Sequence, residues 1–184
     1  VHCVTEVALV FTLSAMRAAG TNAGNRIEHA SVIPPQLIPQ LQELELAVVT
    51  QPNFVREKGD SYLKEIPVSE HDYLYRCRSL IDAAVPLAFG TDLPFGEPDP
   101  WSAIQSATNR QTLQREILNS KERITPEQAL TGFLGTLESP FEARQIRIGA
   151  DADLCLLDAP WQQIRSDLDC RHVKLTIAQG EIIY

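Results

Sequence analysis

The sequence predicts an α/β fold in which parallel β-strands alternate with helices that cover them. Short apolar runs alternate with amphipathic stretches, and each strand-plus-helix unit takes about 25 to 30 residues, as in βαβ units. The carboxyl ends of four such strands are visible, at residues 1–2, 27–29, 48–51 and 87–92. Because four strands are half of an eight-stranded barrel, we expect a partial (β/α)8 TIM-like barrel.

The helices and strands of the first half follow from apolar spacing and from the residues that start and stop them. Residues 6–19 carry apolar side chains at helical spacing, and Gly20 ends the run. The prolines of residues 34–35 begin the next helix. Its apolar face is made of Leu37, Ile38, Leu41 and Leu44. The β-branched run at residues 46–50 predicts a strand, which Pro52 ends.

The segments that follow alternate between predicted loops and predicted helices. Residues 54–69 are polar and predict a loop, whose unusual length favours a functional role. Residues 70–84 show a helical pattern, and residues 91–100 form a turn-rich loop after the last strand. Residues 101–119 predict a long helix. The next helix begins at residues 125–128, where threonine, proline and glutamine occupy the N-cap, N1 and N3 positions.

The tail of the chain changes character at residue 146. Residues 146–158 indicate a turn and then a strand, and residues 173–184 indicate a hairpin with its turn near Gly180. These strands are antiparallel in type, unlike those of the first half. We therefore expect two parts, a barrel part at residues 1–145 and part of a small β-domain at residues 146–184.

Composition and charge argue against several classes of partner. The chain has 184 residues, a net charge of -8 and a pI near 5.0, and its basic residues are scattered, which disfavours nucleic acid. No apolar run reaches the roughly 18 residues of a membrane helix, and no secretory leader pattern is visible. The cysteines show neither CxxC spacing nor a disulfide framework, so we expect reduced thiols and a cytoplasmic protein.

Three side chains stand at predicted carboxyl ends of parallel strands, where (β/α)8 barrels carry out their chemistry. They are His2, His29 and Asp92. Imidazole and carboxylate groups are suitable ligands for zinc and similar metals. A lone histidine is more often a core or surface residue, and Asp92 also fits a turn or cap position, so spacing alone does not decide. His71 and His172 are expected at the surface.

An ordered series of motifs resembles the metal-dependent amidohydrolases of the YtcJ-like branch, amidohydrolase family 3. The motifs are Arg-Ile-Glu-His-Ala at residues 26–30, Pro-Pro-Gln-Leu-Ile at 34–38, Val-Val-Thr-Gln-Pro-Asn-Phe at 48–54, Leu-Ala-Phe-Gly-Thr-Asp-Leu-Pro at 87–94, Asp-Pro-Trp at 99–101, Ile-Thr-Pro-Glu-Gln-Ala-Leu at 124–130, Gly-Ala-Asp-Ala-Asp-Leu at 149–154 and Thr-Ile-Ala-Gln-Gly-Glu-Ile-Ile-Tyr at 176–184. The resemblance implies that the four strands are barrel strands five to eight and that the tail belongs to a β-sandwich domain.

The resemblance also implies a hydrolase that uses a metal-activated water to cleave carbon–nitrogen bonds in small amide-type substrates. In that family the fifth- and sixth-strand histidines, here His2 and His29, bind a divalent metal, for which we expect zinc. The eighth-strand aspartate, here Asp92, binds metal and transfers protons. Gln51, Asn53 and Arg110 are candidates for substrate binding, although solvation at the surface is the simpler expectation for Arg110.

The sequence departs from the family pattern in two places. The paired histidines of strand one and the carboxylated lysine of strand four would precede Val1, and Thr5-Glu6-Val7 stands where Gly-Asp-Arg often follows the fifth-strand histidine. The chain also begins without Met at a strand end, which suggests a fragment, whereas trimmed numbering is the simpler alternative. We therefore expect weak or absent zinc binding, little activity from this chain alone, and association of copies through exposed strand edges.

Two other hypotheses remain open at this stage. One is an inactive, regulatory or binding protein on the amidohydrolase scaffold, of the exoenzyme-regulator type. The other is an unrelated α/β domain, such as a doubly wound sheet, which would show no shared site for His2, His29 and Asp92. The absence of a glycine-rich phosphate loop from the sequence speaks against the second of these hypotheses.

Overall fold

A computed structural model describes residues 1–22 and 24–184 and shows an α/β chain with a parallel sheet. The strands of this sheet are β1 (His2–Cys3), β2 (Arg26–His29), β3 (Ala47–Thr50) and β4 (Leu87–Phe89). Their order in the sheet, β1-β2-β3-β4, follows their order in the chain, and all three pairings are parallel. Sequential order is typical of a barrel, whereas a doubly wound sheet reverses its order at a switch point.

The helices connect and cover these strands. They are α1 (Glu6–Ala19), α2 (Ile38–Glu43), α3 (Asn53–Glu65), α4 (Arg78–Asp82), α5 (Pro100–Asn109), α6 (Pro126–Thr131) and α7 (Trp161–Ile164). The predicted start and stop signals of α1 hold, since the Thr5 side chain accepts a hydrogen bond from the backbone N–H of Ala8 and Gly20 takes a φ of 82°. The predicted capping box between Thr125 and Gln128 is also present.

The prediction of a loop at residues 54–69 is wrong, because α3 occupies most of this segment. The helix buries only Asn53, Phe54, Val55 and Gly59 and exposes charged residues over the rest of its surface. Gly59 permits close packing, since a Cβ at this position would lie 2.6 Å from Cγ2 of Thr112. The polar composition that suggested a loop therefore belongs to the solvent face of a helix.

Two of the predicted helices are shorter than expected. The helix expected at residues 101–119 ends at Asn109, where Arg110 adopts a left-handed backbone with φ 58° and ψ 31°. The helix expected at residues 70–84 is divided into a 3-10 turn at Val68–Tyr73 and the short helix α4. Between these two elements the chain crosses to form an antiparallel bridge from Leu74 to Val32. Tertiary contacts thus override local helical propensity in both places.

The register of the parallel sheet separates a face that packs on helices from an opposite face. Ile27 and Val48 are register partners, and both are fully buried in a cluster with Leu9, Leu13 and Leu41 of the covering helices. The alternate positions form a row on the other face, because side chains alternate along a strand. This row joins His2, Glu28, Val49 and Ala88.

The tail forms a second sheet whose strands are antiparallel, as the sequence predicts. Its strands are β5 (Leu154–Leu157), β6 (Val173–Ala178) and β7 (Glu181–Ile182), in the order β5-β6-β7. Ile164 and Leu168 from the segment between β5 and β6 are buried in a cluster with Phe89 and Trp101 of the first part. None of the helices formed by residues 1–22 and 24–184 is long and apolar enough to cross a membrane.

Candidate metal-binding site

A pocket of about 480 Å³ lies at the carboxyl ends of the parallel strands. Its wall includes His2, His29 and Asp92, the three residues that the sequence singles out as metal ligands. These residues come from β1, from β2 and from the loop after β4. In the sequence, His29 follows His2 by 27 positions, and Asp92 follows His29 by 63. The fold therefore brings all three to one pocket, at the edge of the sheet where barrels place their chemistry.

The two histidines are direct neighbours in this pocket. Their ring centroids are 4.5 Å apart, and the ring planes cross at 83°. The adjacent strands β1 and β2 place them there, because Cys3 and His29 are register partners. His29 is 7% exposed whereas His2 is exposed to solvent, so the pair has one buried and one accessible imidazole.

Gln51 fixes the tautomer of His29. The Nδ1 atom of His29 lies 2.7 Å from Oε1 of Gln51. Because an amide oxygen only accepts hydrogen bonds, Nδ1 is the donor in this contact, which leaves Nε2 as the ring atom available to a metal. Histidines that bind metals are usually held in this way by a partner on the other ring nitrogen. The structure thus gives Gln51, which is 3% exposed, an orienting contact with His29.

The backbone at the end of β2 is turned away from regular strand geometry. His29 and Ala30 adopt φ angles of 69° and 46°, in the left-handed region. Such residues cost on the order of 1 to 3 kcal/mol each and persist where the surroundings enforce them. Here the Thr50 hydroxyl donates to the carbonyl of His29 at 2.8 Å, and Gln51 binds the ring. Neighbouring strand β3 therefore holds the turned strand end that presents His29.

The loop after β4 carries Asp92 and is held in place by hydrogen bonds. Asp92 also takes a left-handed φ of 60°, and its carbonyl accepts from the N–H of Gly96 at 3.1 Å. The Asn53 side chain donates to the carbonyl of Thr91 at 3.1 Å and to Oε1 of Glu57 at 2.9 Å. Gly96 must lack a side chain, because a Cβ would lie 2.1 Å from the Thr91 carbonyl oxygen. Asn53, predicted as a substrate-binding residue, therefore supports the Asp92 loop.

The side chains of His2, His29 and Asp92 are of the types that bind divalent metals. They share a pocket, but they are not gathered around one point. Within residues 1–22 and 24–184, no three His, Cys, Asp or Glu side chains are gathered closely enough to hold one ion. His2 and His29 are paired, and Asp92 shares their pocket. Two imidazoles and one carboxylate are the nitrogen and oxygen ligands that zinc accepts.

Arg110, a candidate for substrate binding, is not among the residues that line the pocket. The simpler expectation, that it is solvated at the surface, is wrong. It is fully buried, and its Nε, Nη1 and Nη2 atoms donate to three backbone carbonyls at 2.8 to 2.9 Å. The acceptors belong to Leu118, Tyr75 and Leu74. With every guanidinium nitrogen bonded within the protein, the observed contacts of Arg110 are structural. The αL backbone that ends α5 directs its side chain inward.

Several pocket residues carry no signal that the sequence reasoning used. They are Ser31, Lys58, Tyr62, Tyr75 and Phe95. Only Ser31 had a positional clue, since it follows the β2 histidine by two residues. The two other histidines are half-buried and lie outside the lining of this pocket. His71 contacts the carbonyl of Ile66 at 2.9 Å, and His172 contacts Asp158 at 2.9 Å.

Comparison with known proteins places this chain in a family. All of its residues, 1–184, match the model of the amidohydrolase family. YtcJ of Bacillus subtilis, a protein named as an amidohydrolase, is 25% identical over 194 aligned residues, covering 100% of this chain and 37% of that protein. The N-substituted formamide deformylase of Arthrobacter pascens is 24% identical, covering 92% of this chain and 31% of that enzyme.

Solved structures agree with the sequence matches. The crystal structure of a metal-dependent hydrolase from Pyrococcus furiosus superimposes with a TM-score of 0.61 and 28% identity, covering 72% of this chain and 26% of that one. The chain spans 37% and 31% of the lengths of the two curated relatives, about a third of each. The family match over all 184 residues shows that the chain belongs to the amidohydrolase family.

Proposed function

We propose that this chain supplies metal ligands and a proton-transfer carboxylate to a hydrolase that cleaves carbon–nitrogen bonds of the amide type. The observation that carries the proposal is the paired arrangement of His2 and His29, with the ring of His29 oriented by Gln51. Asp92 stands in the same pocket. Membership of the amidohydrolase family and similarity to a metal-dependent hydrolase support the proposal.

His2, His29 and Asp92 are the residues that we propose to hold the metal, and zinc is the ion that we propose. A bound divalent ion supplies a water of lowered pKa, near 7, and polarises the carbonyl of a substrate. The protonated Nδ1 of His29 stays with Gln51 and leaves Nε2 as the ligand atom. The half-buried position of Asp92 keeps its carboxylate accessible to the bound substrate.

Asp92 is the proposed general base and acid of the reaction. Its carboxylate accepts a proton from the attacking water while the new carbon–oxygen bond forms. It then returns that proton to the nitrogen as the carbon–nitrogen bond breaks, so that a carboxylic acid and an amine leave. Asn53 serves this step indirectly, because it holds the carbonyl of Thr91 beside Asp92.

We further propose that β1 to β4 are half of an eight-stranded barrel at residues 1–145, and that residues 146–184 belong to a β-sandwich domain. The parallel pairing in chain order supports the first statement. Within the described residues, no strand pairs with the outer edge of β1 or of β4, although the Phe89 N–H of β4 donates to the carbonyl of Gly132. Val7, Val10 and Phe11 of α1 are exposed. Further strands or another copy of the chain would fit such edges. A cytoplasmic location stays a prediction.

An N-substituted formamide is the substrate class with which we propose to test the reaction, since one relative is named for deformylation of such compounds. The zinc-loaded 184-residue chain is incubated with an N-substituted formamide, and the released primary amine is labelled and measured. We expect zinc-dependent release that is slower than the roughly 1 to 10³ s⁻¹ of typical enzymes. The physical reason is that, among the described residues, only two candidate metal ligands, His2 and His29, lie close together.

The Asp92→Asn variant is expected to lower that rate by about 10²- to 10⁴-fold, the usual contribution of a general acid–base residue. Asp82→Asn is the matched control, because Asp82 is an exposed partner of Arg78 on α4. Amine release that persists after chelation, or that is equal in Asp92→Asn and Asp82→Asn, would contradict the proposal. Zinc binding without any release would favour a binding protein on the amidohydrolase scaffold.

A further inference from the structure

Much of the pocket lining is apolar or aromatic, and we call this part of it the wall. Its residues are Val4, Val32, Phe54, Ile66, Leu74 and Phe95. The chain segment at residues 73–75 builds this wall by pairing with the residues that follow β2. Ile33 N–H donates to the carbonyl of Tyr73 at 3.0 Å, and Tyr75 N–H donates to the carbonyl of Ser31 at 2.9 Å.

The wall is held in place by contacts on both of its sides. Arg110 holds the carbonyls of Leu74 and Tyr75 from the protein interior, each at 2.8 Å. Tyr75 in turn stacks on Tyr62, with ring centroids 5.8 Å apart, and meets Phe54 edge-on at 6.0 Å. Three aromatic rings therefore stand side by side along the pocket, as a preformed surface for an apolar group.

Three hydroxyl groups are set into this apolar wall. The hydroxyls of Tyr62 and Tyr75 lie 3.1 Å apart, so one donates to the other and the second phenolic proton remains available. Burial raises the pKa of both phenols, which therefore remain protonated donors. Ser31 is 5% exposed, and among residues 1–22 and 24–184 no group meets full hydrogen-bond geometry with its Oγ atom, although the Tyr75 hydroxyl lies near enough to interact with it. Buried polar atoms nearly always have a partner, so a ligand atom fits here.

We propose that this wall is a subsite for an apolar, preferably aromatic, arm of an amide substrate, and that the hydroxyls of Ser31 and Tyr75 donate to one neutral acceptor of the same molecule, such as its amide carbonyl. The identification of the bound molecule as a substrate rests on the proposed hydrolase function. The subsite itself rests on the lining, the aromatic stack and the unpartnered Ser31 hydroxyl.

The electrostatics of the pocket favour a neutral arm over an anionic one. Asp92 lines the same pocket, and its charge contributes to the raised pKa of Tyr75, so a carboxylate bound here would be repelled. Lys58 also lines the pocket, but it is exposed, with its Nζ atom 5.9 Å from the ring centroid of Phe54.

Binding of three probes to the metal-free 184-residue chain tests the subsite, with ligand-observed NMR as the readout. The probes are N-benzylacetamide, N-methylacetamide and N-benzoylglycine. We expect N-benzylacetamide to bind at least about tenfold more tightly than N-methylacetamide, because its ring is buried on the wall. It should also bind more tightly than the anionic N-benzoylglycine.

Ser31→Ala and Tyr75→Phe are each expected to weaken N-benzylacetamide binding by about 3- to 10-fold, since each removes one hydrogen bond and keeps the shape of the wall. Ser166→Ala and Tyr184→Phe are matched controls at exposed positions and should leave the affinity unchanged. Overturning results are undetectable binding at millimolar concentration, equal binding of N-methylacetamide, preference for N-benzoylglycine, or unchanged affinity in both wall variants. No metal or hydrolysis is involved, so these results are independent of the amine-release assay.

Discussion

Replacement of Arg110 by methionine is expected to lower the free energy of unfolding by about 3 to 5 kcal/mol, because a buried carbonyl left without its donor costs roughly 1 to 3 kcal/mol. The guanidinium is fully buried and donates to three backbone carbonyls, of Leu74, Tyr75 and Leu118. Methionine fills much of the space but has no donor, so three buried carbonyls would lose a partner. Urea unfolding followed by circular dichroism measures the change.

Arg147→Met is the control for this experiment, because Arg147 is an exposed arginine. We expect it to change the free energy of unfolding by less than about 0.5 kcal/mol. Arg110→Lys should fall between the two, since one ammonium group cannot reproduce the forked geometry of a guanidinium. If Arg110→Met and Arg147→Met unfold at the same urea concentration, the structural role of Arg110 is refuted.

Replacement of Gln51 by leucine is expected to weaken zinc binding by about 10- to 100-fold, the usual effect of removing a partner that orients a metal-bound histidine. Without the Gln51 oxygen, the Nδ1 proton of His29 has lost its acceptor, and the ring is free to rotate or change tautomer. Leucine suits the buried position by size and polarity, since Gln51 is 3% exposed. Competition with a fluorescent zinc chelator gives the affinities.

Gln51→Glu separates orientation from simple disruption, because a carboxylate still accepts the Nδ1 proton. We expect this variant to keep zinc affinity at or above that of the parent chain. Gln163→Leu, at an exposed position of α7, is the control for the substitution itself. Equal zinc affinity in Gln51→Leu and Gln163→Leu would show that Gln51 does not orient a metal ligand.

Much of the fold could be predicted from local patterns, and the errors have a common physical cause. Helix α1 and the capping box at Thr125 were predictable because their signals are contained within the elements themselves. Helix α3 was missed because its few buried residues are outnumbered by charged ones. The end of α5 at Asn109 was missed because it depends on where Arg110 finds its carbonyl partners, eight and more residues away.

The candidate metal ligands could be predicted from the sequence, whereas the contacts that position them could not. His2, His29 and Asp92 were recognisable because strand ends and family motifs mark them. Gln51 and Asn53 were recognised as polar groups near the site, but their contacts with His29 and Thr91 span 22 and 38 positions of sequence. Ser31, Tyr62 and Tyr75 form a wall only because residues 73–75 pair with the chain after β2. Such pairings are tertiary, and no local pattern encodes them.

Cobalt titration of the 184-residue chain, followed by visible absorption spectroscopy, tests the central claim that His2 and His29 bind a divalent metal. Cobalt accepts the same imidazole ligands as zinc and reports them through its ligand-field bands. We expect these bands in the parent chain and in the control His71→Asn, whose ring hydrogen-bonds to the Ile66 carbonyl and lies outside the lining of the pocket. They should be lost in His29→Asn and in His2→Asn. Bands of equal intensity and equal affinity in all four proteins would contradict the account and place the metal elsewhere.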